Sequence, residues 1–195
     1  VRLSEGRLYL GKAWDNRVGL AVILEVARTL KNKPSPNTVY AIGTVQEEIG
    51  LRGARTSSYA VKPDLGINIE AGVAGDYPGI TKDEAQENLG GGPTIFLHDS
   101  MMLPNINLRN LVETVAKAND ITVQFNVLKG YGEDGAEIQR SRTGTPTVNI
   151  AVPTRYLHSH NGIINRSDFD STVKLVTSVV HSLDSIAYDS LKSFD

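Results

Sequence analysis

The sequence predicts an α/β fold, more specifically a three-layer sandwich around a mixed, mostly parallel sheet. Apolar, β-branched runs alternate along the chain with segments whose apolar residues recur at helical spacing, the pattern of βα units. The run TVYAIGTV (38–45) is almost continuously apolar, as is typical of a central strand covered on both faces. With 195 residues, 40% of them hydrophobic, the chain suits a single domain with a sizeable core.

Each element follows from its local pattern. The predicted strands are 6–13, 38–45, 64–71, 94–99, 121–128 and 146–152. The predicted helices are 14–30, 53–61, 105–120, a short one from 134, and 167–186. Asn105 and Asp134 are predicted helix caps, and Ser167 with Asp170 has the spacing of a capping box. Residues 72–93, rich in Gly and Asp, are predicted to form a loop.

Composition excludes several functions. The formal net charge of −2 gives no electrostatic basis for binding nucleic acid or an anionic membrane. No apolar stretch reaches the roughly 18 residues that span a bilayer. The chain has no cysteine, which excludes disulfides and thiolate metal sites and makes the cytoplasm the default location. Any metal must therefore be held by oxygen and imidazole.

Acidic residues and a histidine follow the predicted strands. Asp15 follows the first strand, Glu47 and Glu48 the second, and Glu70 ends the third, while His158 comes shortly after the last. Ligands of open α/β sheets bind at the carboxyl ends of the strands, so these groups are expected at one rim. Converging carboxylates repel one another unless a cation lies between them. An oxygen and imidazole set suits zinc, cobalt or manganese.

Each of these residues also has a purely structural interpretation. Asp15 and Asp134 lie where a carboxylate can cap a helix. Glu47 and Glu48 are compatible with solvated loop charges, and a lone histidine such as His158 is more often structural than a ligand. Only the joint position at strand ends favours a metal site.

Several motifs together resemble one known family. In order along the chain these are WDNRVG, QEEIGLRGA, INIEAGVAGDYPG, LGGGPTI, GYGEDGAEIQ and VPTRYLHSH. They are similar to those of the glutamyl and deblocking aminopeptidases of the tetrahedral-aminopeptidase type, some members of which are labelled endoglucanases or cellulases. The resemblance extends from about Gly11 to the final helix, and it implies that the sandwich is zinc-exopeptidase-like.

The resemblance implies a role for each matching residue. Asp15 would bridge two divalent metal ions, Zn or Co by the family's pattern. Glu48 and His158 would complete the site of one metal, and Glu70 would bind the other. Glu47 would be the general base, which explains why two glutamates are adjacent: one binds metal while the other stays free to handle protons.

The resemblance also implies what is missing. Family members begin with a segment that supplies a metal-binding histidine, followed by an inserted dimerisation domain. Residues 1–195 are therefore expected to form a single catalytic domain without either part, one ligand short. His98, His160 and His181 match nothing in that role. We expect this chain to bind one metal tightly or none, and the full-length protein to form homo-oligomers.

The most favoured function is that of the C-terminal catalytic portion of a cytoplasmic aminopeptidase acting on peptides with a free N-terminus. One alternative is a non-catalytic fragment that needs a partner chain. Another is a glycosidase using Glu47 and Glu48, which is disfavoured because acid and nucleophile must lie about 5–10 Å apart across a sugar bond. GYGEDG is expected to place Glu133 near the site entrance. An acidic substrate preference would need a cation, for which the candidates are Arg140, Arg142 and Arg155.

Overall fold

A computed structural model describes residues 1–192 of the chain and has the predicted α/β architecture. The strands are β1 (Arg2–Leu3), β2 (Leu8–Gly11), β3 (Gly66–Val73), β4 (Thr94–His98), β5 (Gln124–Val127), β6 (Thr147–Arg155) and β7 (Gly162–Asn165). The helices are α1 (Trp14–Asn32), α2 (Arg52–Val61), α3 (Ile106–Ala118), α4 (Gly135–Gln139), α5 (Arg166–Ser182) and α6 (Ser185–Ser190). Within the described residues, no helix is both long and apolar enough to cross a bilayer.

The strands form one mixed sheet in the order β1-β2-β7-β6-β4-β5, with β3 on the opposite edge of β6. The β3–β6 and β4–β5 pairs are parallel, whereas β1–β2, β2–β7, β4–β6 and β6–β7 are antiparallel. The sheet is thus less parallel than predicted. The difference arises because β7, which the sequence analysis missed, returns beside β6 after a short turn, and because β4 runs against β6.

The predicted central strand 38–45 is the largest departure from the sequence-based fold. No strand is formed there, and all of its residues are exposed. The segment forms no regular secondary structure and pairs with no strand of residues 1–192. Its apolar pattern was interpreted as a strand covered on both faces; the covering is absent from the described part of the chain.

Helices lie on both faces of the sheet, which gives the three layers. The main core joins α1, α3 and α5 to one sheet face through Ile95 and Ile150. Phe96 and Ala151, the next residues along β4 and β6, belong to a separate cluster on the other face. That opposite face is covered by the packed pair α2 and α4.

The observed helix caps agree only in part with those predicted from the sequence. Asn105 caps α3 as predicted, its side chain accepting from Leu108 N–H at 2.9 Å. The predicted capping box at α5 is wrong: Asn165 caps the helix by accepting from Ser167 N–H, and Asp170 instead pairs with Arg166. An ion pair at i, i+4 on a helix surface competes directly with the capping geometry for that carboxylate.

Candidate metal centre

Asp15 lies between β2 and the regular part of α1. Its backbone is non-helical (φ −79°, ψ 111°), and its carboxylate does not cap the helix, contrary to the structural alternative. Oδ1 of Asn16 fills that role by accepting from Gly19 N–H at 2.9 Å. The carboxylate of Asp15 is therefore free to face outward, and its Oδ2 lies 3.1 Å from Nε2 of His158.

His158 belongs to the turn between β6 and β7. Its φ of 57° places it in the left-handed region, which a non-glycine residue rarely adopts. This conformation directs the half-exposed ring to Asp15 and to Glu48, whose Oε1 is 3.7 Å from the same Nε2. Such backbone strain is found disproportionately at functional sites.

The adjacent glutamates differ in environment. They lie in the turn that leads to α2, where the main-chain carbonyl of Glu47 accepts from Leu51 N–H at 2.9 Å. Glu48 is exposed and reaches His158. Glu47 is only partly exposed, and burial, together with the nearby charges of Asp134 and Glu48, raises its pKa to about 7. The two carboxylates thus face different surroundings despite their adjacency.

Asp15, Glu48 and His158 come together in space. Each offers one ligand atom, and these atoms all lie within 4.8 Å of one another. Burial and the charge of Glu48 raise the pKa of Asp15, while the proximity of His158 opposes that rise. The two carboxylates repel one another. A divalent cation such as zinc, bound to both carboxylates and to the imidazole, would offset that repulsion. The residues present therefore fit a metal ion.

Glu70 is near these three residues but outside their cluster. It lies in β3, is 3% exposed, and accepts from Asn16 Nδ2 at 2.6 Å and from Asn68 Nδ2 at 3.0 Å. Burial and the charge of Glu133 raise its pKa well above the usual range. Asn16 thus connects the segment of Asp15 directly to Glu70.

The GYGEDG segment lies deeper than predicted. Glu133 was expected near the entrance of the site but is only 9% exposed, and burial, together with the charge of Glu47, raises its pKa. Asp134 begins α4 without capping it, so its predicted role is wrong. Its carboxylate instead accepts a hydrogen bond from the hydroxyl of Thr44. Thr44 could not have been found from the sequence, since a threonine in an apolar run looks like an ordinary strand residue.

A cleft of about 320 Å³ opens beside the Asp15–Glu48–His158 cluster. Trp14 forms part of its wall, with its indole N–H donating to the carbonyl of Gly162 at 3.1 Å. Lys12 and His160 also line the cleft. Lys12 was not expected at the site, although its position directly after β2 and three residues before Asp15 was an available indication.

The arginines considered for substrate recognition have other partners and do not line this cleft. Arg155 makes a two-pronged ion pair with Asp76 at 2.6 and 2.7 Å, and Arg140 pairs with Glu137 at 2.6 Å. The guanidinium of Arg142 stacks 4.0 Å from the ring centre of Tyr59.

Comparison with known proteins agrees with this geometry. The sequence model of the M42 glutamyl aminopeptidases matches residues 1–175. The chain belongs to the M42 family. It is 32% identical to the glutamyl aminopeptidase of Lactococcus lactis subsp. cremoris over 193 residues, and 35% identical to the lysyl aminopeptidase of Pyrococcus furiosus over 186 residues. These alignments cover 98% and 94% of this M42 chain, and 52% and 51% of the two relatives.

A solved structure shows the same fold within the family. The TET aminopeptidase of Thaumarchaeota archaeon SCGC AB-539-E09 superposes on 98% of this M42 chain with a TM-score of 0.96 and 39% identity. The match covers 54% of that protein. The chain thus spans about half the length of the M42 relatives it matches, and corresponds to their C-terminal portion.

Proposed function

We propose that this chain carries the catalytic residues of a metal-dependent aminopeptidase, which removes residues from the free N-terminus of peptides. The observation that carries the proposal is the cluster of Asp15, Glu48 and His158, which offers one ligand atom each within 4.8 Å in a chain of the M42 family. Glu47 stands beside this cluster without belonging to it, as a general base requires.

The residues divide the chemistry between them. Asp15, Glu48 and His158 would hold a divalent ion, with zinc or cobalt suited to two carboxylates and an imidazole. When bound, such an ion supplies positive charge that polarises the scissile carbonyl and acidifies water. Glu47 takes a proton from the attacking water and delivers it to the leaving amine as the carbon–nitrogen bond breaks.

Glu70 and Asp15 are proposed as ligands of a second ion that binds the substrate's amino group. The family resemblance places the histidine of that site in a segment other than those matched here, so among the described residues the second site is the weaker one. Two carboxylates alone, one of them shared, are a poor set for a metal that prefers imidazole.

Substrate preference and assembly follow only as proposals. The glutamyl and lysyl aminopeptidases are about equally similar to this chain, so identity does not decide between acidic and basic N-terminal residues. Lys12 and His160, which line the cleft, are the cationic groups available to an acidic side chain. One structural neighbour, the TET1 peptidase of Pyrococcus horikoshii, is described as assembling into a tetrahedron or a large octahedral shell. We propose a homo-oligomeric, cytoplasmic enzyme for the whole protein.

Hydrolysis of aminoacyl p-nitroanilides, with and without added Co²⁺ or Zn²⁺, tests the function. A soluble β-glucan serves as the parallel substrate for the glycosidase alternative. We expect low but metal-dependent release of p-nitroaniline, lost in Glu47→Gln, and no reducing sugar. Release that survives chelation or Glu47→Gln would contradict the mechanism. No release under any condition would favour the non-catalytic alternative.

A further inference from the structure

The ring of His158 is not fixed through its second nitrogen by any described protein group. In most metal sites the ring nitrogen that does not bind the metal donates to a carboxylate, a carbonyl or water, which orients the ring. Nε2 of His158 faces Asp15 and Glu48, but Nδ1 makes no hydrogen bond with residues 1–192. The direction of Nε2 therefore depends on the backbone of the turn 156–161, which carries the ring between β6 and β7.

The turn 156–161 is strained, and its own hydrogen bonds do not attach it to the sheet. Tyr156 and His158 both adopt the left-handed region, with φ of 62° and 57°. The N–H of Ser159 donates to the carbonyl of Tyr156 at 3.1 Å, and the hydroxyl of Ser159 donates to the carbonyl of Asn161 at 2.9 Å. Both bonds close the turn on itself. Non-glycine residues persist in such conformations only where the surrounding structure holds them, so the restraint comes from outside the turn.

One external restraint is an ion pair at the end of β6. Nε and Nη2 of Arg155, the last residue of this strand, donate to the two carboxylate oxygens of Asp76 at 2.6 and 2.7 Å. The pair is partly shielded from solvent, since the side chains of Arg155 and Asp76 are 27% and 16% exposed. A two-pronged pair of this kind fixes direction as well as distance. It anchors the residue that immediately precedes the turn.

The next residue of the same loop makes a second restraint. The ring of Tyr77 meets the ring of Tyr156 edge-on, with 5.0 Å between the ring centroids and 61° between the ring planes. Edge-to-face aromatic pairs are favourable at this separation. Because Tyr156 is the first residue of the turn, Asp76 and Tyr77 together hold two consecutive residues of the main chain, Arg155 and Tyr156.

The segment that carries Asp76 and Tyr77 is itself fixed. The N–H of Ala74 donates to the carbonyl of Thr154 in β6 at 3.1 Å. Oδ2 of Asp76 also accepts from the N–H of Leu89, near the far end of the loop that follows β3, at 3.0 Å. The loop is thus tied both to β6 and to its own far end, and it can support the turn without moving with it.

We infer that Asp76 and Tyr77 are positioning residues for the proposed metal ligand His158. They hold the turn 156–161 in the strained conformation that brings Nε2 to 3.1 Å from Oδ2 of Asp15. Neither residue belongs to the cluster of ligand atoms, so both act through the turn. The inference rests on the proposed function, which makes His158 a ligand. When either contact is lost, the turn relaxes and His158 leaves the ligand set, although its own side chain is intact.

NMR of the metal-free chain tests the positioning without depending on activity. In the unsubstituted chain we expect a nuclear Overhauser contact between the ring of His158 and Asp15. Asp76→Ala should abolish this contact and shift the ring signals of His158, whereas those of His181, at the end of α5, should not change. Asp83→Ala, at an exposed position of the same loop, is the matched control and should preserve the contact.

Two results of this comparison would overturn the inference. One is absence of the contact from the unsubstituted chain or its persistence in Asp76→Ala. The other is a shift of the His181 signals as large as that of His158, because it would show a general loss of the fold instead of a local release of the turn.

Zinc affinity, measured by isothermal titration calorimetry, tests the consequence for the site. Asp76→Ala and Tyr77→Ala should each weaken Zn²⁺ binding by about tenfold or more. Tyr77→Phe keeps the aromatic ring and should retain the affinity of the unsubstituted chain. Unchanged affinity in both alanine variants would refute the positioning role. An unsubstituted chain that binds no Zn²⁺ would instead contradict the proposed metal centre, and the NMR comparison would still decide whether Asp76 positions His158.

Discussion

The side-chain amide of Asn16 donates a 2.6 Å hydrogen bond to Oε2 of Glu70, a carboxylate that is almost completely buried. The same amide nitrogen lies 2.8 Å from the carbonyl oxygen of Ile69. Because Asp15 directly precedes Asn16, these bonds hold the segment of one proposed ligand against the strand that carries another. Asn16 is therefore a positioning residue between the two proposed metal sites.

Replacing Asn16 with Ala should destabilise the fold by about 1–3 kcal/mol, because a buried carboxylate and a buried carbonyl each lose a donor. Urea unfolding followed by circular dichroism measures the change. Asn32→Ala, at the exposed end of α1, is the matched control and should stay within about 0.5 kcal/mol of the unsubstituted chain. Equal effects of the two substitutions would show that Asn16 does not support Glu70.

Substitutions of the two adjacent glutamates should have different effects on the affinity for Zn²⁺. Glu48→Gln removes a proposed ligand and should weaken Zn²⁺ binding by about tenfold or more, whereas Glu47→Gln should leave the affinity unchanged. Isothermal titration calorimetry provides the comparison without depending on enzyme activity. If both substitutions weakened Zn²⁺ binding equally, the proposal that Glu47 is the base and Glu48 the metal ligand would be contradicted.

The same titration of the unsubstituted chain should give at most one tight Zn²⁺ site. His158→Gln should eliminate that site, because it removes the only imidazole within the described cluster. His160→Gln is the control, since His160 lines the same cleft but lies outside the cluster. Two tight sites per chain, with the second lost in His160→Gln, would mean that His160 completes a second metal site.

Stability should fall with rising pH because of Glu87. Burial raises the pKa of this fully enclosed carboxyl to about 7, and Oε2 has no hydrogen-bond partner among the described residues. Since the folded-state pKa lies above the unfolded value, the folded protein holds more protons between about pH 4.5 and 7 and loses stability across that range. Above about pH 7 this loss of stability is complete. Glu87 then no longer makes the free energy of unfolding depend on pH.

Glu87→Gln should remove this dependence and make the protein more stable than the unsubstituted chain at pH 8, by on the order of 2–4 kcal/mol. Thermal unfolding between pH 5 and 8 measures both effects. Glu113→Gln, on the surface of α3, is the control and should preserve the slope. An unchanged slope in Glu87→Gln would assign the pH dependence to other buried carboxyls.

The segment 38–45 shows what a hydrophobic pattern can and cannot predict. The pattern predicted a strand that the structure does not form, because an apolar, β-branched run does not indicate whether another strand is available to pair with it. β7 was missed for a different reason: its four residues, Gly162–Asn165, are too few to show a period and follow a turn-like run. The helices were predicted better, because three or more turns of apolar spacing are hard to mistake.

At the candidate metal centre, Asp15, Glu48 and His158 lie close together as the strand-end rule predicted, although the strand expected before Glu48 is not formed. The bridging role of Asn16 was not predicted, since it depends on the non-helical backbone at the start of α1. The burial of Glu133 was missed because loop composition says little about depth. The roles of the individual ligands and of the base remain predictions.

The three clustered residues come from widely separated parts of the chain: the start of α1, the turn before α2 and the turn after β6. An ion bound to all of them would act as a reversible cross-link that closes two long loops of the unfolded chain. Partial opening of any one of the three segments would separate the ligand atoms and weaken binding of the ion. The fraction of chains that bind the ion would therefore indicate whether the domain is cooperatively folded. A chelator would in this sense act as a denaturant of limited strength, lowering the unfolding temperature while leaving every covalent bond in place.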